Sequence, residues 1–303
     1  MAKSLGLKTK VIQDDAYKIK IPKKSAFTID TPQDQLKLHQ LMCIAAQRGC
    51  GKGVILSSYL QGLKRQNCMD RIFILSPTIG SNRPIFEPLG IREEDEYHTP
   101  DPENVKDIIR KCEEEMEEWK DYHQAMILHK LINDPKVDIN KLDPMLLIHA
   151  LDKGYLSDKP RSKYGHKPIL GLIIDDFQGS ILYNTNPKNP FVNLCLRHRH
   201  IADGLGISIF MCVQTYGGAG GVPRIIRQNI TSLLLGSQKN RQVIEQIADE
   251  IGGQIEKDKF LQVYDLATHN EHPEQQNHNF LMIDFNPKDL SKMFRRNLNV
   301  FIY

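Results

Sequence analysis

The sequence holds no apolar run approaching the roughly 18 residues that a membrane-spanning helix requires. Its opening residues contain no apolar stretch long enough for a secretory signal, so an intracellular protein with no membrane contact is expected. The cysteines, Cys43, Cys50, Cys68, Cys112, Cys195 and Cys212, include no Cys-x-x-Cys pair. That excludes a disulfide scaffold and argues for buried thiols. The pairs His198/His200 and His269/His272 lack the cysteine or carboxylate partners of a zinc site. No basic stripe is interleaved with aromatics, which argues against base stacking on single strands as a main binding mode. Net charge is nearly absent too: 40 Lys+Arg against 37 Asp+Glu leave +3.

What is present is the make-up of a folded protein. The 303 residues are 40% hydrophobic and 25% charged, which excludes a disordered chain and suffices for one large domain or two small ones. The small net charge conceals segregation. Residues 93–121 carry 13 acidic and 4 basic side chains, residues 1–28 seven Lys and two Asp, and residues 184–242 seven Lys/Arg with Asp203 as the one acid. The acidic run reads as a solvated helix face; the sharper alternative is a surface that repels DNA or meets a basic partner.

No internal repeat is found. Residues 17–22 and 26–29 alternate weakly and read as short strands ahead of the main domain. Leu41 to Ala46 reads as a buried strand, followed by a glycine turn at 47–53 and a helix over 54–66. Ile72–Leu75 is a second buried strand. Residues 93–165 read as a helical insertion, with a long charged helix over 105–131 and another over 143–153 capped by Asp143. Strands return at 169–174, 207–213 and 232–236, followed by a helix over 241–251 closed by Gly252 and Gly253. Residues 260–266 and 279–284 read as a terminal pair of strands. Strands apolar on both faces predict an α/β fold with a mainly parallel central sheet. The expected division is a basic segment, 1–35, and one domain, 36–303.

Three polar groups fall at strand ends. The first lies in Ala46-Gln-Arg-Gly-Cys-Gly-Lys-Gly53, between a buried strand and a helix, the setting a phosphate loop needs. There the backbone N–H groups and helix N-terminus cradle phosphate oxygens while Lys52 reaches the β- and γ-phosphates. Gln47, Arg48, Gly49, Cys50, Gly51, Lys52, Gly53 and Val54 are therefore the expected ATP contacts. Two positions depart from the pattern G-x-x-x-x-G-K-[ST]. Ala46 replaces the first Gly, a mild change unless the backbone there is left-handed. Gly53 replaces the Ser/Thr whose hydroxyl binds Mg2+; water, or Ser57 one turn on, is expected in its place. The second motif, Leu170-Gly-Leu-Ile-Ile-Asp-Asp176, delivers two carboxylates to the edge where open α/β sheets bind ligands. Asp175 is expected to hold Mg2+ through water and Asp176 to polarise the attacking water. The third is Gln214, placed to bond both that water and the γ-phosphate.

Together with Val222-Pro-Arg-Ile-Ile-Arg-Gln-Asn229 and the ending Phe280-Leu-Met-Ile-Asp284, these residues resemble the viral genome-packaging ATPases, the poxvirus-type branch of the FtsK/HerA-like P-loop superfamily. The resemblance spans roughly 40–300. It implies a RecA-like core in a homo-oligomeric ring, a pentamer or hexamer, that draws double-stranded DNA into a viral capsid at a packaging vertex. It implies residence in the host cytoplasm, a viral factory or the virion. It also implies an arginine from the neighbouring subunit acting on the transferring phosphoryl group. Arg199 is the first candidate and Arg197 the second, with Arg224 and Arg227 as rivals. Two other readings share these residues: a cellular or plasmid DNA translocase, and a nucleotide-binding ring component with weak or no hydrolysis, of which Gly53 would be the mark.

Overall fold

A computed structural model describes residues 31–303 apart from 33, 138–141, 155–158, 219, 239, 252–254 and 273. The expected strands at 17–22 and 26–29, most of the basic segment 1–35, and the helix-closing Gly252 and Gly253 lie outside the described residues.

Among the described residues, nine strands form one sheet in the order β3-β2-β4-β5-β1-β6-β7-β8-β9. The central five are β1 (Leu41–Ala45), β2 (Arg71–Leu75), β4 (Leu170–Asp175), β5 (Ser208–Val213) and β6 (Ser232–Gly236). They pair in parallel, as their two-faced apolar runs predict. Short β3 (Glu96–Tyr97) extends one edge; β7 (Phe280–Asp284), β8 (Phe294–Arg296) and β9 (Val300–Ile302) add an antiparallel flank to the other.

Successive side chains along each strand enter opposite cores. Leu41, Cys43 and Ala45 of β1 join one cluster with α3 (Pro102–Ile132), α5 (Pro190–Arg197), α8 (Arg241–Ile251) and α9 (Lys257–Ala267). Met42 and Ile44 face the other cluster, with α1 (Lys52–Arg65) and α2 (Ile79–Phe86). The chain thus makes the layered α/β architecture expected, with helices on both sheet faces.

Residues 260–266 correct the expectation. They lie within α9, not in a strand. Phe260, Tyr264 and Ala267 are its buried positions, spaced by four and three as a helix requires. The true partners of β7 are β6 and β8. Helices α2 and α5 were not legible beforehand. The helix predicted over 143–153 is present as α4 (Pro144–Asp152), and the Asp143 carboxylate accepts from the Met145 N–H at 2.9 Å.

The acidic run is not solvated throughout. Asp95 and Glu115 are buried, 0% and 2% exposed, and both bind Arg71 at the start of β2. The guanidinium meets the Asp95 carboxylate through two bonds of 2.9 and 2.7 Å and Glu115 through one of 2.9 Å. Lys163 adds a 2.6 Å contact to Glu115. This network fastens both ends of the insertion to the sheet. Elsewhere the acids pair along α3 itself, as in Lys106 with Glu103.

Arg71→Ala removes the buried cation that two buried carboxylates share, leaving Glu115 to Lys163 and Asp95 to Lys111 at 3.4 Å, and is expected to cost about 3–5 kcal/mol, read from urea unfolding. Arg110→Ala, on the solvent side of α3, is expected to leave the midpoint unchanged.

Candidate active site

The sheet order decides what meets at its carboxyl edge. β5 lies between β1 and β4, so the ends of three adjacent parallel strands carry the three motifs. Ala45 pairs with Val213 and Asp175 with Cys212.

After β1 the chain turns through Gly49 and Gly51, both at φ 86°, where a side chain would be strained. Gly51 is the N-cap of α1 and contributes no side chain, so the first N–H groups of the helix face the loop. Ala46 lies outside the left-handed region, so its departure from glycine costs no backbone strain. The Lys52 ammonium donates to the carbonyls of Ala46 at 2.8 Å and Gln47 at 3.1 Å, inside the loop. Arg48 and Gly49 are exposed and Cys50 is buried. Val54 points outward, 55% exposed, so of the predicted phosphate-loop contacts it can contribute only its backbone.

Gly53 is covered by α2. A Cβ there would stand 3.6 Å from Ile85 Cγ2 and 3.7 Å from Phe86 Cζ, ordinary contact distances. Ser57 does not supply the missing hydroxyl. It is buried, donates to the Ile85 carbonyl at 2.6 Å and accepts from the Gln61 amide at 3.2 Å. Both hydrogen-bonding roles are spent on helix packing.

Asp175 is 8% exposed. Burial first, then the adjacent Asp176 charge, raise its pKa above the ordinary carboxylate value, while Lys52 and the Asn82 amide pull it back. Asn82 of α2 lies 3.4 Å from Asp175 Oδ2. Asp176 is exposed and sits at φ 58°, a left-handed backbone that costs a non-glycine residue about 1–2 kcal/mol. Its carboxylate lies 3.5 Å from the Gln214 amide.

Gln178 holds this pair together, and no sequence motif pointed to it. Its Oε1 accepts from the Gln214 N–H at 2.7 Å and the Thr215 N–H at 3.1 Å, while its Nε2 donates to the Thr215 carbonyl at 2.9 Å. The loop after β4 is thereby clasped to the end of β5. Two further unpredicted groups come from the segment before β7. A Cβ at Gly49 would collide with the Gln276 amide, and one at Gly51 would stand 3.3 Å from His278 Nδ1.

The arginines lie elsewhere. Arg197 ends α5 and Arg199 follows it, both exposed. His198, between them, accepts through its carbonyl from Ile207 just before β5, at the amino edge of the sheet. That edge is about 17–20 Å, one strand length, from the phosphate loop. Neither reaches the phosphate loop of its own chain. Arg227 is bound at 2.7 Å to both Glu250 and the Val222 carbonyl, which leaves it a structural role.

The residues present fit a nucleotide and a hard cation: a glycine turn leading into a helix N-terminus, an interior lysine, and two carboxylates at the same edge. Among the described residues, no group of three or more His, Cys, Asp or Glu is arranged to hold a metal by itself. No described helix is long and apolar enough to cross a membrane.

No protein-family model matches the chain, and no curated protein matches it. Solved structures similar to it include the genome packaging NTPase of Sulfolobus turreted icosahedral virus 2 in complex with ATP-gammaS. That match has 13% identity and a TM-score of 0.41, covering 87% of this chain and 98% of that one. The EssC ATPases 2 and 3 of Geobacillus thermodenitrificans match at 17% identity and TM-score 0.37, over 64% of this chain. The cytoplasmic domain of the type VII secretion ATPase EccC of Thermomonospora curvata matches at 12% and 0.42, over 87%. The chain spans 31% of the EssC structure and 24% of the EccC structure.

The raised pKa of Asp175 fixes a pH signature. The folded state holds this proton more tightly than the unfolded chain does. Its contribution to stability is therefore full below the unfolded value near 3.8 and is lost as pH rises through the folded value. Asp175→Asn is expected to raise the melting temperature at pH 7, and the gain should shrink as pH falls towards 4. A gain independent of pH would count against the charge as its cause.

Proposed function

We propose that the chain is an ATPase whose hydrolysis drives double-stranded DNA into a viral capsid as part of a homo-oligomeric ring. The observation that carries the ATPase is the arrival of Lys52, Asp175, Asp176 and Gln214 at one sheet edge from three adjacent strands. The DNA, the ring of five or six subunits, the capsid vertex and the poxvirus-type branch of the FtsK/HerA-like ATPases rest on the motif order. So does residence in the host cytoplasm, viral factory or virion, while the boundaries at 35/36, 93 and 165 rest on the shifts of composition and charge along the chain.

In this reading the loop 47–54 binds the ATP phosphates through backbone N–H groups, and Lys52 leaves its carbonyl partners to neutralise β- and γ-oxygens. Asp175 would hold Mg2+, and the ion would supply charge neutralisation at the phosphates. Water attacks the γ-phosphorus, the bond to the β-phosphate oxygen breaks, and Asp176 takes the proton. Gln214 orients that water and reports loss of the γ-phosphate to the loop beyond β5. The remaining requirement, a cation on the transferring group, falls to a neighbour's Arg199 or Arg197, because neither reaches its own site. Exposure at the amino edge suits a group offered to another subunit.

A second reading, a ring component that binds ATP without turnover, is favoured by the absent hydroxyl at 53 and the commitment of Ser57 to packing. The purified chain separates the two. For the motor, hydrolysis should rise with duplex DNA, and DNA affinity should fall steeply with salt, log K against log salt having a slope near −0.9 per phosphate contact. Asp176→Asn should reduce turnover by about 10²–10⁴-fold while keeping nucleotide affinity. Absence of hydrolysis with DNA and ring formation both confirmed would leave the second reading.

A further inference from the structure

We propose that Asn82 positions Asp175 and completes the metal-facing side of the site, in place of the hydroxyl that Gly53 lacks. The inference rests on the nucleotide-site reading above and goes beyond it, because no motif assigns a role to α2.

Three observations converge on this helix. First, α2 covers the gap at position 53. Ile85 and Phe86 stand where a side chain at 53 would make contact, with no steric clash. Second, Asn82 precedes Ile85 by three residues, so the face that packs on Gly53 also carries the amide. Its Nδ2 lies 3.4 Å from Asp175 Oδ2 and 3.1 Å from Thr78 Oγ1. Thr78 Oγ1 is in turn 3.1 Å from the hydroxyl of Ser76, a fully buried residue that immediately follows β2. A chain of neutral polar groups therefore runs from β2 to the carboxylate. Third, Ser57 pins the end of α2 by donating to the Ile85 carbonyl at 2.6 Å. That bond fixes how close α2 stands to the phosphate loop.

The chemistry suits the place. In the usual loop a neutral hydroxyl faces the cation while the strand-end carboxylate acts through water. Here the nearest neutral polar side chain bonded to that carboxylate is an amide. Its Nδ2 holds one carboxylate oxygen. Its Oδ1, without a partner among the described residues, is a neutral oxygen of the type Mg2+ accepts, directly or through water. The amide also offsets part of the charge repulsion between Asp175 and Asp176 at no cost in net charge.

Binding of a fluorescent ATP analogue, with Mg2+ and with chelator, tests the assignment. Free Mn2+ measured by electron paramagnetic resonance adds a second readout. Asn82→Ala should leave chelator-state affinity unchanged and reduce the metal-dependent gain, and Mn2+ uptake in the presence of nucleotide, by about tenfold. Gly53→Ser on the Asn82→Ala background should restore most of both, because a side chain at 53 fits and returns a hydroxyl. Thermal unfolding of each variant checks that it is folded. Folded Asn82→Ala with the full metal-dependent gain would overturn the proposal, as would an equal loss with and without metal. Failure of Gly53→Ser to restore Mn2+ uptake would do the same. A wild-type chain that binds no nucleotide under either condition would remove the ATPase reading itself and the proposal with it.

Discussion

The parallel pairing of β5 between β1 and β4 is the constraint on which the candidate site depends. Each of those strands is buried on both faces under helices, as parallel sheets are, and all three run in the same direction. Their carboxyl ends then lie together at one edge. The lysine of the turn after β1, the carboxylates after β4 and the amide after β5 become neighbours without any contact in sequence. The backbone ladder supplies the placement; the side chains only occupy it.

Burial sets the electrostatics at that edge. Asp175 is packed among apolar strand ends and beside a second carboxylate, so the ionised form is held at a cost that Lys52 and Asn82 only partly offset. The insertion obeys a different rule. Asp95 and Glu115 are buried on Arg71, whose fixed fork of donors bridges the two, with Lys163 adding a contact to Glu115. A region that reads as acidic therefore contributes two of its charges to its own anchorage and cannot present them to a partner.

Legibility in the sequence followed the physics of each feature. Strands buried on both faces announce themselves as continuous apolar runs, and the polar groups at their ends could be read directly. The segment 260–266 could not be, because Phe260, Val263 and Tyr264 are strong strand formers while the buried positions, Phe260, Tyr264 and Ala267, follow the helical period. Of the two stand-ins expected for the missing hydroxyl, water or Ser57, the serine is taken up by packing against a helix whose position no local pattern reveals. Gln178, Asn82, Gln276 and His278 escaped for the same reason: each acts across a long loop in sequence, and a lone amide or imidazole carries no spacing signal. The arginines were placed by the resemblance and their interval, which says nothing about their lying at and just beyond the far end of α5.

The left-handed backbone at Asp176 narrows the alphabet available to the proposed base. Aspartate and asparagine tolerate that conformation better than longer or branched side chains, because their short polar groups bond locally. Glutamate, a frequent choice for the task, would be held there at greater cost. The nearest neutral drift from Asp176 is therefore to asparagine, a change that keeps the fold and the turn while removing the proton acceptor. On the proposed reading, the chain stands one substitution from a protein that binds without turning over, and selection on catalysis, not on stability, would hold the position.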